Sequence, residues 1–131
     1  MKEINSYLFV YGTLLDERNK FAAYVQENCN FYKHAKFSGR LYDIGEYPGA
    51  ILDTEDNGFV YGSIYVMSDP AQTLKILDDY EGFGEDLPQP NEFIRNLLAV
   101  ETKDERVNCW VYLYNLPVNG FRQIISGDYW K

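Results

Sequence analysis

The chain has 131 residues, of which 46% are hydrophobic, 17% aromatic and 24% charged, a length and composition typical of one globular domain with its own hydrophobic core. Twenty acidic residues against twelve basic residues give a formal net charge of -8, which would repel a nucleic-acid backbone or an anionic membrane unless the basic residues formed one patch. The densest basic cluster contains only Lys33, His34 and Lys36, so we expect a single domain over residues 1–131 with neither a nucleic-acid partner nor a membrane partner.

The N-terminal part of the chain predicts a strand followed by a helix. Residues 7–11 are aromatic and aliphatic and run into Gly12, as expected for a buried strand that ends in a turn. A helix is predicted over residues 17–28, with Asp16 as its N-cap, because apolar side chains recur there at helical spacing. A strand, a loop and a helix therefore open the fold.

Two further strands are predicted in the middle of the chain. Residues 31–43 are rich in Phe and Tyr, and residues 59–67 in Phe, Tyr, Val and Ile, side chains that favour extended structure. Turn residues lie between these runs, at 47–49 and 56–58. We therefore expect strands joined by short turns.

A second helix is predicted over residues 70–80. Asp69 has the form of an N-cap and Pro70 occupies the first helical position, while Gly82 provides the natural end. The loop at 83–91 contains glycine and proline and is of the kind that often covers a site. We interpret this loop as a candidate lid.

Two strand-like runs, at 93–102 and 107–114, follow the loop and are separated by a polar turn suited to a hairpin. The strands do not alternate regularly with helices, as a parallel sheet would require. The sequence therefore predicts an α+β fold with a mostly antiparallel, barrel-like sheet.

The residues that bind metals or form disulfides are few. Cys29 and Cys109 form no close pair, so we expect two buried free thiols rather than a disulfide or a zinc site. His34 is the only histidine and has no ligand partners at useful spacing. The N-terminus carries an acid and no long apolar run is present, so we expect a cytoplasmic protein.

Three carboxylates lie at the end of the second predicted helix, where the helix dipole disfavours negative charge. Asp78 and Asp79 are expected to turn outward, whereas Glu81 follows Leu77 by one helical turn and lies on the stripe that faces the core. Burial, the neighbouring acids and the helix C-terminus should each raise the pKa of Glu81 toward the range of a general base. The alternative is that Glu81 pairs with Arg95 or another cation.

A second candidate site is the turn after the first strand, formed by Tyr11, Gly12, Thr13 and Leu14. A glycine there lets the chain turn sharply and exposes backbone N–H groups, which can hold a carboxylate or an oxyanion. Ordinary turn structure without a functional role is the alternative.

Two segments together carry a resemblance to a known family: FVYGTL at residues 9–14 and LDDYEG at residues 77–82. In this pairing the chain resembles the gamma-glutamylcyclotransferase-like family. Its C-terminal GDYW, at 127–130, is similar to the ending of small bacterial members. The likeness spans most of the chain.

The resemblance implies a compact antiparallel barrel with flanking helices, a pocket at one barrel end, no metal and no organic cofactor. It implies Glu81 as the acid/base and an amide-lined substrate loop that corresponds to Tyr11, Gly12, Thr13 and Leu14. The reaction it implies is cleavage of a gamma-glutamyl amide by the substrate's own α-amine, which gives 5-oxoproline and a free amine without a protein nucleophile. The implied partner is a small gamma-glutamyl molecule.

Several assignments stay open at this point. Tyr112 is a candidate substrate contact, with a buried strand tyrosine as the alternative. Arg95 either meets a substrate carboxylate or pairs with an acid. Tyr47 either shapes the pocket wall or belongs to a rigid turn, and Tyr129 has no assigned role. Phe93 stands where many relatives have a tyrosine.

The leaving amine and the oligomeric state are also open. Three substrate classes remain as alternatives: a gamma-glutamyl amino acid, a gamma-glutamyl-lysine isopeptide and a gamma-glutamyl group on a biosynthetic amine. The alternative from a different class is a non-catalytic module that binds or senses a small molecule in the same pocket.

Overall fold

The computed structural model describes residues 5–11, 20–45, 47–55 and 58–128. These residues form seven strands and two helices, in the order β1 (Tyr7–Val10), α1 (Lys20–Asn28), β2 (Cys29–Asp43), β3 (Pro48–Leu52), β4 (Phe59–Met67), α2 (Pro70–Glu81), β5 (Phe93–Glu101), β6 (Arg106–Tyr114) and β7 (Arg122–Gln123). The predicted ends of β1, β4, β5, β6 and α2 agree with these bounds to within one residue. The start of the predicted helix at 17–28, including Asp16, lies outside the described residues.

Five of the strands close into a barrel. The strand order is β2-β4-β1-β6-β5, and β5 returns to β2 through the pairing of Lys36 with Glu101. All of these pairs are antiparallel except β1 with β6, which pair in parallel through Leu8 and Trp110. The predicted α+β fold with a mostly antiparallel, barrel-like sheet is confirmed.

The long strand β2 also carries a smaller sheet beyond the barrel. Its first part pairs with β4, with a bulge between Phe31 and Lys33. From Gly39 onward it pairs instead with β3, and β7 pairs with its last two residues. The prediction of only a turn at 47–49 was therefore wrong, because Pro48 begins β3, at the first strand position that proline tolerates.

The hydrophobic side chains form two layers. One cluster takes side chains from all five barrel strands and fills the barrel; its fully buried members include Phe9, Leu41, Ile64, Val100 and Val111. The other cluster lies between the barrel wall and the two helices; it includes Leu8, Ala22, Val25, Leu74, Leu77 and Tyr112. Successive strand residues point to opposite layers because side chains alternate across a strand.

Helix α2 is bounded by the residue types that predicted it. The Asp69 side chain accepts a hydrogen bond from the Gln72 N–H at 3.3 Å, and Pro70 follows at the helix start. Gly82 ends the helix in the left-handed region, with φ at 75°, a conformation that glycine adopts without steric cost. Glu81 is therefore fixed as the last helical residue.

Two expectations about the wider chain can be compared with the structure. Cys29 and Cys109 are buried free thiols, as predicted, and burial raises their pKa to about 11 and about 12 respectively. Within the described ranges, neither helix is long and apolar enough to span a bilayer. The cytoplasmic location stays a prediction.

Candidate active site

The C-terminal turn of α2 places Glu81 beside the barrel. Leu74 and Leu77 on the same helix face are buried against the outer core layer, and Glu81 follows them on that stripe. Burial of its carboxyl raises the pKa of Glu81 to about 8, with the negative charge of Glu92 as the second cause. The side chain therefore exchanges a proton close to neutral pH.

Three tyrosine hydroxyls from different parts of the fold have a pKa that the charge of this carboxyl raises. They belong to Tyr11 after β1, Tyr47 before β3 and Tyr112 in β6. Burial is the main cause that raises the pKa of each hydroxyl, and the charge of Glu81 raises it further in all three. Because such charge effects act at short range in a protein interior, the three hydroxyls lie near Glu81.

Each of these hydroxyls donates its proton to a group other than Glu81. Tyr11 donates to the backbone carbonyl of Tyr112 and accepts from the Ala50 N–H at 3.2 Å. Tyr112 donates to Asp78 Oδ1 at 2.7 Å. Tyr47 donates to the Glu92 carboxylate. In the part of the chain that the structure describes, Glu81 accepts no hydrogen bond.

Asp78 does not turn outward as the sequence analysis expected. Its carboxylate binds the Arg95 guanidinium in a bidentate pair, with Oδ1 at 2.7 Å from Nε and Oδ2 at 2.9 Å from Nη2. The side chains of Asp78 and Arg95 are only 19% and 18% exposed, which strengthens the pair relative to one in water. The prediction was wrong because the charge-assisted hydrogen bonds from Arg95 on β5 stabilise the Asp78 carboxylate more than exposure to solvent would.

This pair also decides between the two sequence interpretations of Arg95 and Glu81. Arg95 pairs with Asp78 rather than with Glu81, and its guanidinium stacks over the Trp110 ring at 4.5 Å and the Phe83 ring at 5.8 Å. Such planar stacking is favourable for arginine. Among the described residues no cation pairs with Glu81, so the alternative in which Glu81 pairs with Arg95 is wrong.

Glu92 is a site residue that the sequence analysis missed. It precedes β5, and its backbone carbonyl accepts from the Asn115 N–H at 2.8 Å, which ties it to the segment after β6. No described cation forms an ion pair with it. Eleven positions and a loop separate it from Glu81 in the sequence, and no spacing rule links residues across such a loop.

The loop between α2 and β5 is held together by its own side chains. Asn91 is buried, at 7% exposure. Its side-chain oxygen accepts from the Gly84 N–H at 3.0 Å, and its side-chain NH2 donates to the carbonyls of Gly84 and Pro88, both at 3.1 Å. Gln89 donates to the carbonyls of Gly84 and Leu87. These bonds fix the position from which Glu92 enters the site, while the role of this loop as a lid stays a prediction.

Other predicted site residues lie beyond the described part of the chain. Gly12, Thr13 and Leu14, the candidate amide loop, and Tyr129 belong to this group, and of that loop only Tyr11 is described. Within the described ranges, no cluster of three or more His, Cys, Asp or Glu side chains is arranged to hold a metal ion. The site as described is thus a proton-exchanging carboxyl among tyrosine hydroxyls.

Comparison with known proteins gives the family. The model of the family "Gamma-glutamyl cyclotransferase, AIG2-like" matches residues 8–131, so the chain belongs to the gamma-glutamylcyclotransferase-like family. YtfP of Escherichia coli strain K12, named a gamma-glutamylcyclotransferase family protein, is 32% identical over 129 residues, which cover 93% of this chain and 94% of YtfP. The resemblance noted in the sequence is confirmed.

Solved structures show the same fold. The solution structure of E. coli YtfP aligns with a TM-score of 0.68 at 29% identity and covers 94% of this chain and 95% of that one. The crystal structure of an AIG2-like protein from mouse aligns with a TM-score of 0.64 at 27% identity, over 82% of this chain and 76% of that one. YkqA from Bacillus subtilis aligns at 0.70 and 27% identity over 96% of this chain but only 40% of YkqA.

Proposed function

We propose that the protein cleaves a gamma-glutamyl amide by attack of the substrate's α-amine on its own γ-carbonyl, releasing 5-oxoproline and a free amine or amino acid. The observation that carries this proposal is the partly buried carboxyl of Glu81, whose pKa is raised to about 8 and which has neither a hydrogen-bond donor nor a cation among the described residues. Membership of the gamma-glutamylcyclotransferase-like family supports it.

Glu81 performs two proton transfers in sequence. Its carboxylate first takes a proton from the substrate α-ammonium, and the freed nitrogen lone pair forms a bond to the γ-carbonyl carbon. The tetrahedral intermediate then reforms its carbonyl and breaks its bond to the leaving nitrogen, which receives the proton back from Glu81 and departs as an amine. The second proton of the new ring nitrogen passes to solvent, so that 5-oxoproline is released with a neutral lactam N–H. A single carboxyl with a pKa near the working pH suits both steps.

Holding the substrate provides much of the rate enhancement. Because the attack is intramolecular, a folded glutamyl chain is already close to the reactive geometry, and such orientation is worth roughly 7 to 11 kcal/mol of the barrier. Backbone N–H groups at Gly12, Thr13 and Leu14 are proposed to orient the glutamyl group and to stabilise the developing oxyanion. The step needs neither a metal nor an organic cofactor.

The leaving group is proposed to be an amine without a strong negative charge. Glu81 and Glu92 lie near each other with no described cation between them, and the whole chain has a net charge of -8. Such a site attracts cations and repels anions. Tyr112 is proposed to contact the glutamyl α-ammonium, because its hydroxyl oxygen retains lone pairs after donating to Asp78.

The test is release of 5-oxoproline from three substrate classes: gamma-glutamyl amino acids, a gamma-glutamyl-lysine isopeptide and gamma-glutamyl amines. Wild type, Glu81→Gln and the matched control Glu85→Gln are compared, since Glu85 is exposed in the loop after α2. Loss of the general acid/base should lower kcat by about 10²- to 10⁴-fold, while Glu85→Gln stays at the wild-type rate. Circular dichroism checks that each variant is folded.

Each outcome has a separate meaning. Turnover by wild type that Glu81→Gln abolishes supports the proposal and identifies the amine. Full activity in Glu81→Gln would overturn the assignment of the acid/base. A wild type that binds gamma-glutamyl compounds in a thermal-shift assay but releases no 5-oxoproline would indicate the non-catalytic binding module instead.

A further inference from the structure

The Tyr112 hydroxyl is bound to the Asp78 carboxylate, and the charge of Glu81 also raises its pKa. Its proton goes to Asp78, at 2.7 Å, and the charges of Asp78, Arg95 and Glu81 all influence its pKa. A tyrosine hydroxyl has one proton and two lone pairs. With the proton committed to Asp78, the side of the hydroxyl left for a ligand can only accept hydrogen bonds.

Asp78 also binds a cation on β5. Arg95 stands directly opposite Tyr112 in the β5–β6 register and gives two hydrogen bonds to the Asp78 carboxylate. Its ring contacts with Trp110 and Phe83 hold the guanidinium plane in that direction. One carboxylate on α2 thus binds two donors of the barrel wall, the Tyr112 hydroxyl and the Arg95 guanidinium.

We propose that Asp78 is a positioning residue: by binding the Tyr112 proton and the Arg95 guanidinium, it keeps both of these donors away from Glu81 and leaves, among the described residues, an acceptor-only surface for the substrate α-ammonium. This inference rests on the proposed function for its biological meaning. Its geometric content, the direction of the Tyr112 proton and of Arg95, is independent of turnover.

The acceptor-only character extends to the other groups that face Glu81. Tyr11 donates to a backbone carbonyl, Tyr47 donates to Glu92, and Glu92 is itself a carboxylate. None of these described groups neutralises Glu81. An ammonium group with three N–H donors is the chemical complement of such a surface, which is the form in which the α-amine of a gamma-glutamyl compound arrives.

Removing the Asp78 charge should direct donors toward Glu81. In Asp78→Asn, Arg95 loses its counter-charge and Tyr112 loses its strongest acceptor, and both changes favour the ionised form of Glu81. The matched control is Asp79→Asn, which removes the same charge from the adjacent exposed residue of α2. The Glu81 carboxyl is followed by ¹³C NMR in glutamate-labelled protein, with the resonance assigned from its loss in Glu81→Gln.

The expected result is a fall of about one pH unit in the midpoint of the Glu81 titration in Asp78→Asn, with Asp79→Asn close to wild type. Where wild type is active, the acid limb of kcat/KM moves by the same amount. A merely structural role would lower activity evenly at every pH. An unmoved titration midpoint in folded Asp78→Asn, or an equal shift in Asp79→Asn, would overturn the proposal.

Tyr112→Phe gives a second measurement, one that removes no charge and is therefore safer for folding. If the Tyr112 hydroxyl donates to Asp78, removing that hydroxyl leaves the midpoint of the Glu81 titration within about 0.3 pH units of wild type. If the hydroxyl instead donates to Glu81, its removal raises the midpoint by about one pH unit, and the proposal is wrong. Both titrations are read without substrate. An inactive wild type with the expected titrations would reject the proposed function alone, whereas an active wild type with unmoved midpoints would reject the positioning role alone.

Discussion

Two clusters of acidic side chains in the described part of the chain differ in their exposure to solvent, in their partners and in the direction of their pKa shifts. At the β5–β6 hairpin, Asp104 and Glu105 are exposed and bind Lys33, which lies 2.8 Å from Asp104 Oδ1. Hydrogen bonds from Lys33 are the first cause that lowers the pKa of both carboxyls. At the end of α2, burial instead raises the pKa of Glu81 to about 8.

The difference shows what makes a carboxylate chemically useful. The hairpin acids have water and a cation, so they are ionised throughout the physiological range and exchange no proton there. Glu81 has neither a described cation nor full access to water, and a second carboxylate lies nearby. A carboxylate that is poorly solvated when ionised, and that no cation stabilises, is a candidate for a functional role.

The largest expected difference between Glu81 and the hairpin acids is in the pH dependence of the free energy of unfolding. The pKa of Glu81 is raised from 4.5 to about 8 by folding, so the folded chain binds an extra proton between these values and the free energy of unfolding falls as pH rises through them. Glu81→Gln removes this term. Its stability relative to wild type should therefore increase by about 2 to 4 kcal/mol between about pH 5 and about pH 9.

Urea denaturation at both pH values measures this effect. The control is Glu85→Gln, whose difference from wild type should not change with pH because Glu85 is exposed. A constant difference between Glu81→Gln and wild type would contradict the raised pKa, whatever the activity of the variant.

A smaller effect is expected from the carboxylate beside Glu81. Glu92→Gln removes the negative charge that is the second cause of the raised Glu81 pKa, so the acid limb of the pH–rate profile should move down by about half a pH unit. The amide still accepts from the Tyr47 hydroxyl, which preserves the local geometry. An unchanged limb in an active Glu92→Gln enzyme would show that burial alone sets the Glu81 pKa.

The smallest effect is expected at the hairpin. Lys33→Met removes the partly exposed cation from the exposed carboxylates of Asp104 and Glu105, so Tm should fall by less than about 3 °C and 5-oxoproline release should be unchanged. The lowered pKa values of Asp104 and Glu105 stabilise the fold only at a pH above the pKa of these carboxyls in the unfolded chain. The fall in Tm is therefore constant between about pH 6 and about pH 9 and disappears in acid. A Tm difference that varies across the neutral range would contradict this assignment.

Local sequence signals predicted the elements well where a residue acts on its own neighbours. Asp69, Pro70 and Gly82 bound α2 because capping and proline geometry depend on only a few adjacent residues. The strand at Pro48–Leu52 was missed since its turn-like first residues conceal a hairpin pairing with the end of β2, in which Pro48 lies opposite Asp43. Strand pairing is a property of two segments, and one segment alone does not reveal it.

The same distinction applies to the site. Glu81 was identified from its helical position, which follows directly from the spacing to Leu77. The direction of Asp78 was predicted wrongly, and Glu92 was not recognised at all. Both depend on β5, which brings Arg95 to Asp78 and starts immediately after Glu92.

The sequence by itself determined the barrel class, the two-segment family signature and a carboxyl on the core-facing stripe of α2. Only the tertiary structure decided which carboxylate receives Arg95, where the Tyr112 proton points and which charge lies next to Glu81. The physical reason is that helix caps and periodicity act within a few residues, whereas desolvation and charge pairing depend on groups that meet only when the barrel closes.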